Sequence, residues 1–257
     1  MRKPALVLCA ALCATALTAA SDGLQVRSVD GRAFALFAPK GPASAVFFIA
    51  TDCPISNWYA PTIQQVCSDY AVWQKSVADP GRVAINLSLK ELSQASFIPN
   101  CRSVFEHHGV SPSRVELEIT ETTLMMDAAK TLPLLDELRA MGVHLSIDDF
   151  GTGYSSLSAL QQFPIGALKI DQSFVRDAAS DPDDATIVRT IIEMGRSLGL
   201  QVVAEGVETD EQRHFLVHSG CQYGQGRLFG EPIASGEFLD MMVRQATGQH
   251  PVLRLPA

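Results

Sequence analysis

The stretch HLSIDDFGTGYSSL, His144 to Leu157, decides how the rest of the chain is read. An apolar run ends in two adjacent carboxylates, Asp148 and Asp149, and a glycine-rich turn follows. A single Asp at such a place caps a helix or opens a turn. Two side by side repel each other unless a cation stands between them. Taken alone, the pair fits a turn or an N-cap better than a metal site. The choice rests on what stands at equivalent places elsewhere.

Those places recur. From Trp73 to about Met242, the segments VAINLS, VELEIT, VHLSID, ALKID, QVVAEGV and, more weakly, YGQG read as strands. Between them FIPNCRSVFEHHG, AAKTLPLLDELRAMG, SSLSALQQF, ATIVRTIIEMGRSLG and TDEQRHFLVHSG read as helices, several of them stopped by glycine. Such alternation predicts an α/β fold with a parallel sheet. The strands end on polar groups: Asn86, then Glu118 and Glu121, Asp148 and Asp149, Lys169 and Asp171, Glu205 and Glu208, and Gln225. In a βα-barrel these ends share one mouth, where chemistry is done. Asn86, Glu118, Asp148, Asp149, Lys169, Glu205 and Gln225 are therefore expected to converge. Oxygen donors without His or Cys suit a hard ion, Mg2+ or Mn2+. Two adjacent Asp residues can serve two metals that together clamp a phosphodiester. Lys169 alone fits a solvated surface charge, and Glu205 alone an ion-pair partner. The recurrence of polar ends after apolar positions carries the reading.

Composition narrows the class. The 257 residues are enough for one large or two modest domains, and 47% hydrophobic with 19% charged residues reads as globular. A net charge of −8 excludes a broad face for a nucleic-acid polymer. It leaves room for a small phosphate ligand, because a metal inverts the local charge. The N-terminus, MRKPALVLCAALCATALTAASDG, sets Arg2 and Lys3 before an apolar run from Ala5 to about Ala20. That is the layout of a secretory signal peptide with a cut after Ala20, which predicts export to the periplasm. The run is short for a membrane span, and no later segment is apolar enough for one. Of the six cysteines, Cys9 and Cys13 lie in this leader. Cys53, Cys67, Cys101 and Cys221 show neither metal-type spacing nor a disulfide framework. Between leader and alternating region, the sequence predicts a hairpin around Asp30-Gly31, a buried strand AVFFIA, a turn at Asp52-Cys53-Pro54 and a helix from about Ala60. The terminal QATGQHPVLRLPA reads as a loose end.

The segments AINLS, ELEITET, LSIDDFGTGYSSLSAL, LKIDQSFV, VVAEGVET and GQGRLFGEP resemble the EAL family of cyclic di-GMP phosphodiesterases, from about Val72 to Met242. The resemblance implies a modified βα-barrel that linearises cyclic di-GMP to pGpG with two Mg2+ or Mn2+ ions. It implies metal ligation by Asn86, Glu118, Asp148, Asp149 and Glu205. Lys169 would hold and polarise the attacking water or the phosphate. Gln225 would orient metal-bound water, with Asp171 beside it on the substrate side. Glu121 would brace the loop after Asp149. Members usually form homodimers.

Two departures stand out. Arg227 replaces the Tyr of the commoner Gly-Gln-Gly-Tyr. More importantly, the Glu-Ala-Leu motif itself, whose Glu is a metal ligand, is absent, with the two strands and helices expected before AINLS. An incomplete barrel of about six of eight βα units is thus expected, with strongly impaired hydrolysis. Residues 21–71 instead resemble the opening of a thioredoxin-like redoxin domain, with Cys53 at the reactive position and Ser56 in place of a second cysteine. The expected organisation is a signal peptide over 1–20, a redoxin fragment over 21–71, a truncated EAL domain over 72–243 and a tail over 244–257. The join falls within one helix near Cys67 to Val72. Cyclic di-GMP is a cytoplasmic messenger, so its use requires a cytoplasmic location with the leader unused. Other readings are a non-catalytic cyclic di-GMP-binding module, an exported thiol-redox protein centred on Cys53 and a fusion that does not fold.

Overall fold

A computed structural model describes residues 8–12, 25–27, 33–35, 45–49, 60–126, 128–153 and 160–246. Four short strands come first. β1 (Leu8–Leu12) pairs antiparallel with β4 (Ala45–Ile49), and β2 (Gln25–Arg27) pairs antiparallel with β3 (Ala33–Ala35). The second pair flanks Asp30-Gly31, as a hairpin there requires. The rest of the expected leader, the tail from residue 247, and Cys53 and Ser56 of the stretch expected to be redoxin-like lie outside the described residues. So does most of SSLSALQQF. Among the described residues no helix is long and apolar enough to cross a membrane.

Each expected strand of the alternating region is present, and all join one parallel sheet. These are β5 (Val83–Asn86), β6 (Val115–Thr120), β7 (His144–Phe150), β8 (Ala167–Ile170), β9 (Gln201–Ala204) and β10 (Tyr223–Gly224). Their order across the sheet is their order along the chain, which leaves β5 and β10 as its ends. The sheet is curled into a half-barrel. β4 approaches β5 but shares no ladder with it.

Strand alternation sorts the side chains. The register sets Val83 beside Val115, Leu117 beside Leu145, Ile147 beside Leu168, and Leu168 beside Val202. Those residues form one continuous apolar face, all buried. Glu118, Ser146, Asp148 and Lys169 occupy alternate positions on the other face, and they too are buried. The arrangement places charge inside the curl of the sheet, where it needs partners.

The helices cover the apolar face. In α1 (Ala60–Ser76), Ile63, Val66, Cys67, Tyr70 and Trp73 recur at helical spacing and are buried. The Tyr70 hydroxyl donates to Gly81 O at 2.7 Å, and the Trp73 ring lies 5.5 Å from that of Phe238. α1 runs unbroken through residues 67 to 72, where a join of two segments is expected from the sequence. Next come α2 (Leu89–Leu92) and α3 (Phe97–His108), the latter closed by Gly109 in the left-handed conformation. α4 (Glu121–Met126), α5 (Ala128–Ala140), α6 (Gln172–Asp177), α7 (Pro182–Ser197), α8 (Asp210–His218) and α9 (Ser235–Ala246) follow. Capping is written in the sequence. Ser88 with Glu91 and Thr209 with Gln212 form capping boxes, and Asp181 accepts from Asp183 N ahead of α7. The short helices α2, α4 and α6 escape a periodicity reading because four to six residues contain too little of a helical repeat.

Candidate functional site

The opening pair of aspartates sits at an irregularity. Along the β7–β8 ladder Ile147 pairs with Leu168 and Phe150 with Ile170, so Asp148 and Asp149 together oppose the single Lys169. This two-against-one arrangement is a β-bulge. Within it Asp149 has φ 53°, and it is the single non-glycine residue with positive φ among those described. Asp tolerates this region better than most residues because it is short and polar. In a regular strand the two carboxylates would point to opposite faces. Here oxygens of Asp148, Asp149 and Glu205, the last just beyond β9, all lie within 4.8 Å of one another.

Lys169 is buried at the centre of this group. Its Nζ lies 2.9 Å from Glu118 Oε2, 2.9 Å from Asp148 Oδ1 and 2.5 Å from Glu205 Oε1. Burial alone would pull its pKa down. Glu118, Glu205 and Asp148 outweigh that and hold the ammonium charged. Three carboxylates, Glu118, Asp148 and Glu205, thus share one lysine, and Asp149 lies beside two of them. Such a cluster holds together only with further positive charge or with bound protons.

Other predicted residues take supporting places. Glu121 opens α4, and its Oε2 accepts from Gly151 N at 2.9 Å and Gly153 N at 3.2 Å, fastening the turn after Asp149. A Cβ on Gly153 would come within 2.8 Å of Glu121 Oε1, so the turn lies directly against the carboxylate. Asp171 caps α6 through Ser173 N at 2.8 Å and meets the Asp149 carboxyl. Asn86 ends β5 in register with Glu118. Gln225 follows β10, its backbone tied to Ala204 O and Val207 N, and its side-chain Oε1 is buried without a hydrogen-bond partner among the described residues. Ser146 escapes the strand-end reading. Two residues before Asp148 and beside Glu118, its buried hydroxyl likewise has no partner among the described residues. A polar residue inside an apolar strand, two positions from an aspartate, is the signal that would have found it.

Burial pushes the Asp149 carboxyl up to about 6, helped by Asp148 and Asp171, and pushes Glu205 up to about 7, with Lys169 opposing. Burial also raises Glu118 well above the usual carboxylate range. Unfolded carboxyls titrate near about 4. Between that value and 7 the metal-free folded state holds more protons, so these groups favour folding most at low pH. Their contribution is lost as pH rises through 6 and 7. The chelator-treated protein is expected to melt at lower temperature at pH 8 than at pH 5, with a shallower slope in Glu205→Gln. An unchanged slope in that variant would show that Glu205 is not raised.

The donor set fits a hard divalent cation: oxygens only, with three carboxylates on one small volume. Comparison with known proteins agrees with the geometry. The bifunctional diguanylate cyclase/cyclic di-GMP phosphodiesterase MucR of Pseudomonas aeruginosa is 42% identical over 185 residues, covering 72% of this chain. The chain spans 27% of the length of that relative. The solved PaMucR phosphodiesterase in complex with c-di-GMP is similar with a TM-score of 0.72 at 36% identity, over 79% of this chain and 90% of that one. A manganese and cyclic di-GMP complex of Klebsiella pneumoniae BlrP1 is similar with a TM-score of 0.65 at 25% identity, over 91% of this chain and 58% of that one. The family model described as EAL domain matches residues 60–232, from the start of α1 to beyond Gln225, and on that match the chain belongs to the EAL domain family.

Proposed function

We propose that this chain is a divalent-cation-dependent phosphodiesterase that hydrolyses cyclic di-GMP to linear pGpG, at a rate lowered by its shortened barrel. The observation that carries the reading is the convergence of Asp148, Asp149 and Glu205 around Lys169 at adjoining strand ends. Relatives that share this region are named for that substrate and reaction.

Asn86, Glu118, Asp148, Asp149 and Glu205 would hold Mg2+ or Mn2+, which supplies an activated water and neutralises the phosphate. Lys169, held among Glu118, Asp148 and Glu205, would contribute a charged donor to the water or the phosphodiester. Gln225 Oε1 accepts a proton donor at the same mouth and so orients the water. Attack at phosphorus breaks the P–O3′ bond, leaving a 5′-phosphate and a free 3′-hydroxyl. Glu121 keeps the turn after Asp149 in place for substrate, and Asp171 supports Asp149. The missing Glu-Ala-Leu glutamate removes one expected ligand, which weakens metal binding and slows turnover.

Calorimetric titration of the full chain with cyclic di-GMP in Ca2+, followed by a turnover assay in Mn2+, tests the reading. Binding in Ca2+ and hydrolysis slower than about 1 per second are expected. Binding without any hydrolysis would favour a non-catalytic cyclic di-GMP-binding module. Absence of binding would overturn the reading.

A further inference from the structure

We propose that Lys169 and the divalent cation compete for Asp148 and Glu205, so that the lysine is a built-in counter-ion which the metal must displace. The inference rests on the metal-dependent reading above. Its basis is a shared set of atoms. The carboxylates that converge as a cation seat are Asp148, Asp149 and Glu205. Those that contact the Lys169 ammonium are Glu118, Asp148 and Glu205. Two residues belong to both sets.

One carboxylate cannot serve an ammonium and an adjacent dication equally. The two cations repel, and the repulsion is strong in a site closed to water. Glu118 completes the contacts of the ammonium, and its side chain is 1% exposed, deeper than Asp148 at 11% or Glu205 at 14%, so the whole group is closed to water. A cation seated there would take Asp148 and Glu205 only if Lys169 gave them up. The same lysine that holds three carboxylates together thus lowers the affinity for the metal.

The test compares the full-length wild type, Lys169→Met and Lys169→Arg, titrated calorimetrically with Mn2+ alone at pH 8. Lys169→Met is expected to bind Mn2+ about tenfold tighter than wild type or better, a difference of about 1.4 kcal/mol. Lys169→Arg keeps the charge and is expected to bind no tighter than wild type. Equal or weaker binding by Lys169→Met, with wild type binding normally, overturns the competition and leaves the phosphodiesterase reading standing. No Mn2+ binding by any of the three overturns both. Removing the lysine leaves buried carboxylates uncompensated, so Lys169→Met can unfold without metal. Thermal melts with and without Mn2+ decide that case. A larger Mn2+-induced rise in melting temperature than in wild type supports the proposal, and a variant that stays unfolded at saturating Mn2+ overturns it.

Discussion

Asp148→Asn is expected to weaken Mn2+ binding by at least about 100-fold and to remove measurable hydrolysis of cyclic di-GMP. Asp148 belongs both to the converging trio and to the contacts of Lys169. The substitution keeps shape and one oxygen but removes a full charge, so its effect falls on the cation rather than on packing. Losing even an outer support of a metal ligand costs about 10–100-fold, and a direct ligand stands above that range. The fold should persist, because the amide oxygen can still accept from the ammonium. Calorimetry with Mn2+, a turnover assay and a circular dichroism melt separate these effects. Mn2+ binding within about threefold of wild type in a folded variant would remove Asp148 from the ligand set.

Gly226→Ala is expected to destabilise the protein by about 3 kcal/mol and to disturb the site as well. The residue has φ 154°, and a Cβ there would overlap the Val207 backbone, with O and N in direct collision and C at 2.7 Å. Backbone atoms cannot rotate away as a flexible side chain could. Two hydrogen bonds run through the same atoms. Val207 N donates to Gln225 O at 2.8 Å, and Leu228 N donates to Val207 O at 3.0 Å. Any relief moves Gln225, whose amide oxygen is buried. Urea unfolding of the variant measures the loss directly. A change below about 1 kcal/mol would mean that the loops after β9 and β10 separate cheaply, against the tight packing seen here.

The strands were legible because each is an apolar run with a polar end, and the helices because most are long enough to show a repeat. The capping residues Ser88, Asp181 and Thr209 were legible in principle, since the side-chain bonds they make are local. α1 carries its own apolar stripe, but its partner Phe238 lies more than a hundred residues away in α9, and no local pattern announces that contact. The role of Gly226 is hidden for the same reason: the obstacle is the backbone of another loop. Ser146 needed the strand register, which set it beside Glu118.

What the sequence by itself determined is the alternation of strand and helix, the parallel sheet that follows from it, and the set of charged strand ends that share a mouth. Those follow from periodicity and from the direction of the chain. That Asp148 and Asp149 face the same seat was decided by tertiary structure alone. Adjacent residues of a regular strand point apart, and only the bulge opposite Lys169, with Asp149 in the left-handed region, turns both carboxylates to one side. The burial of Lys169 was decided the same way. Its four-carbon stem reads as surface, and three carboxylates from β6, β7 and the end of β9 make the interior tolerable for its charge.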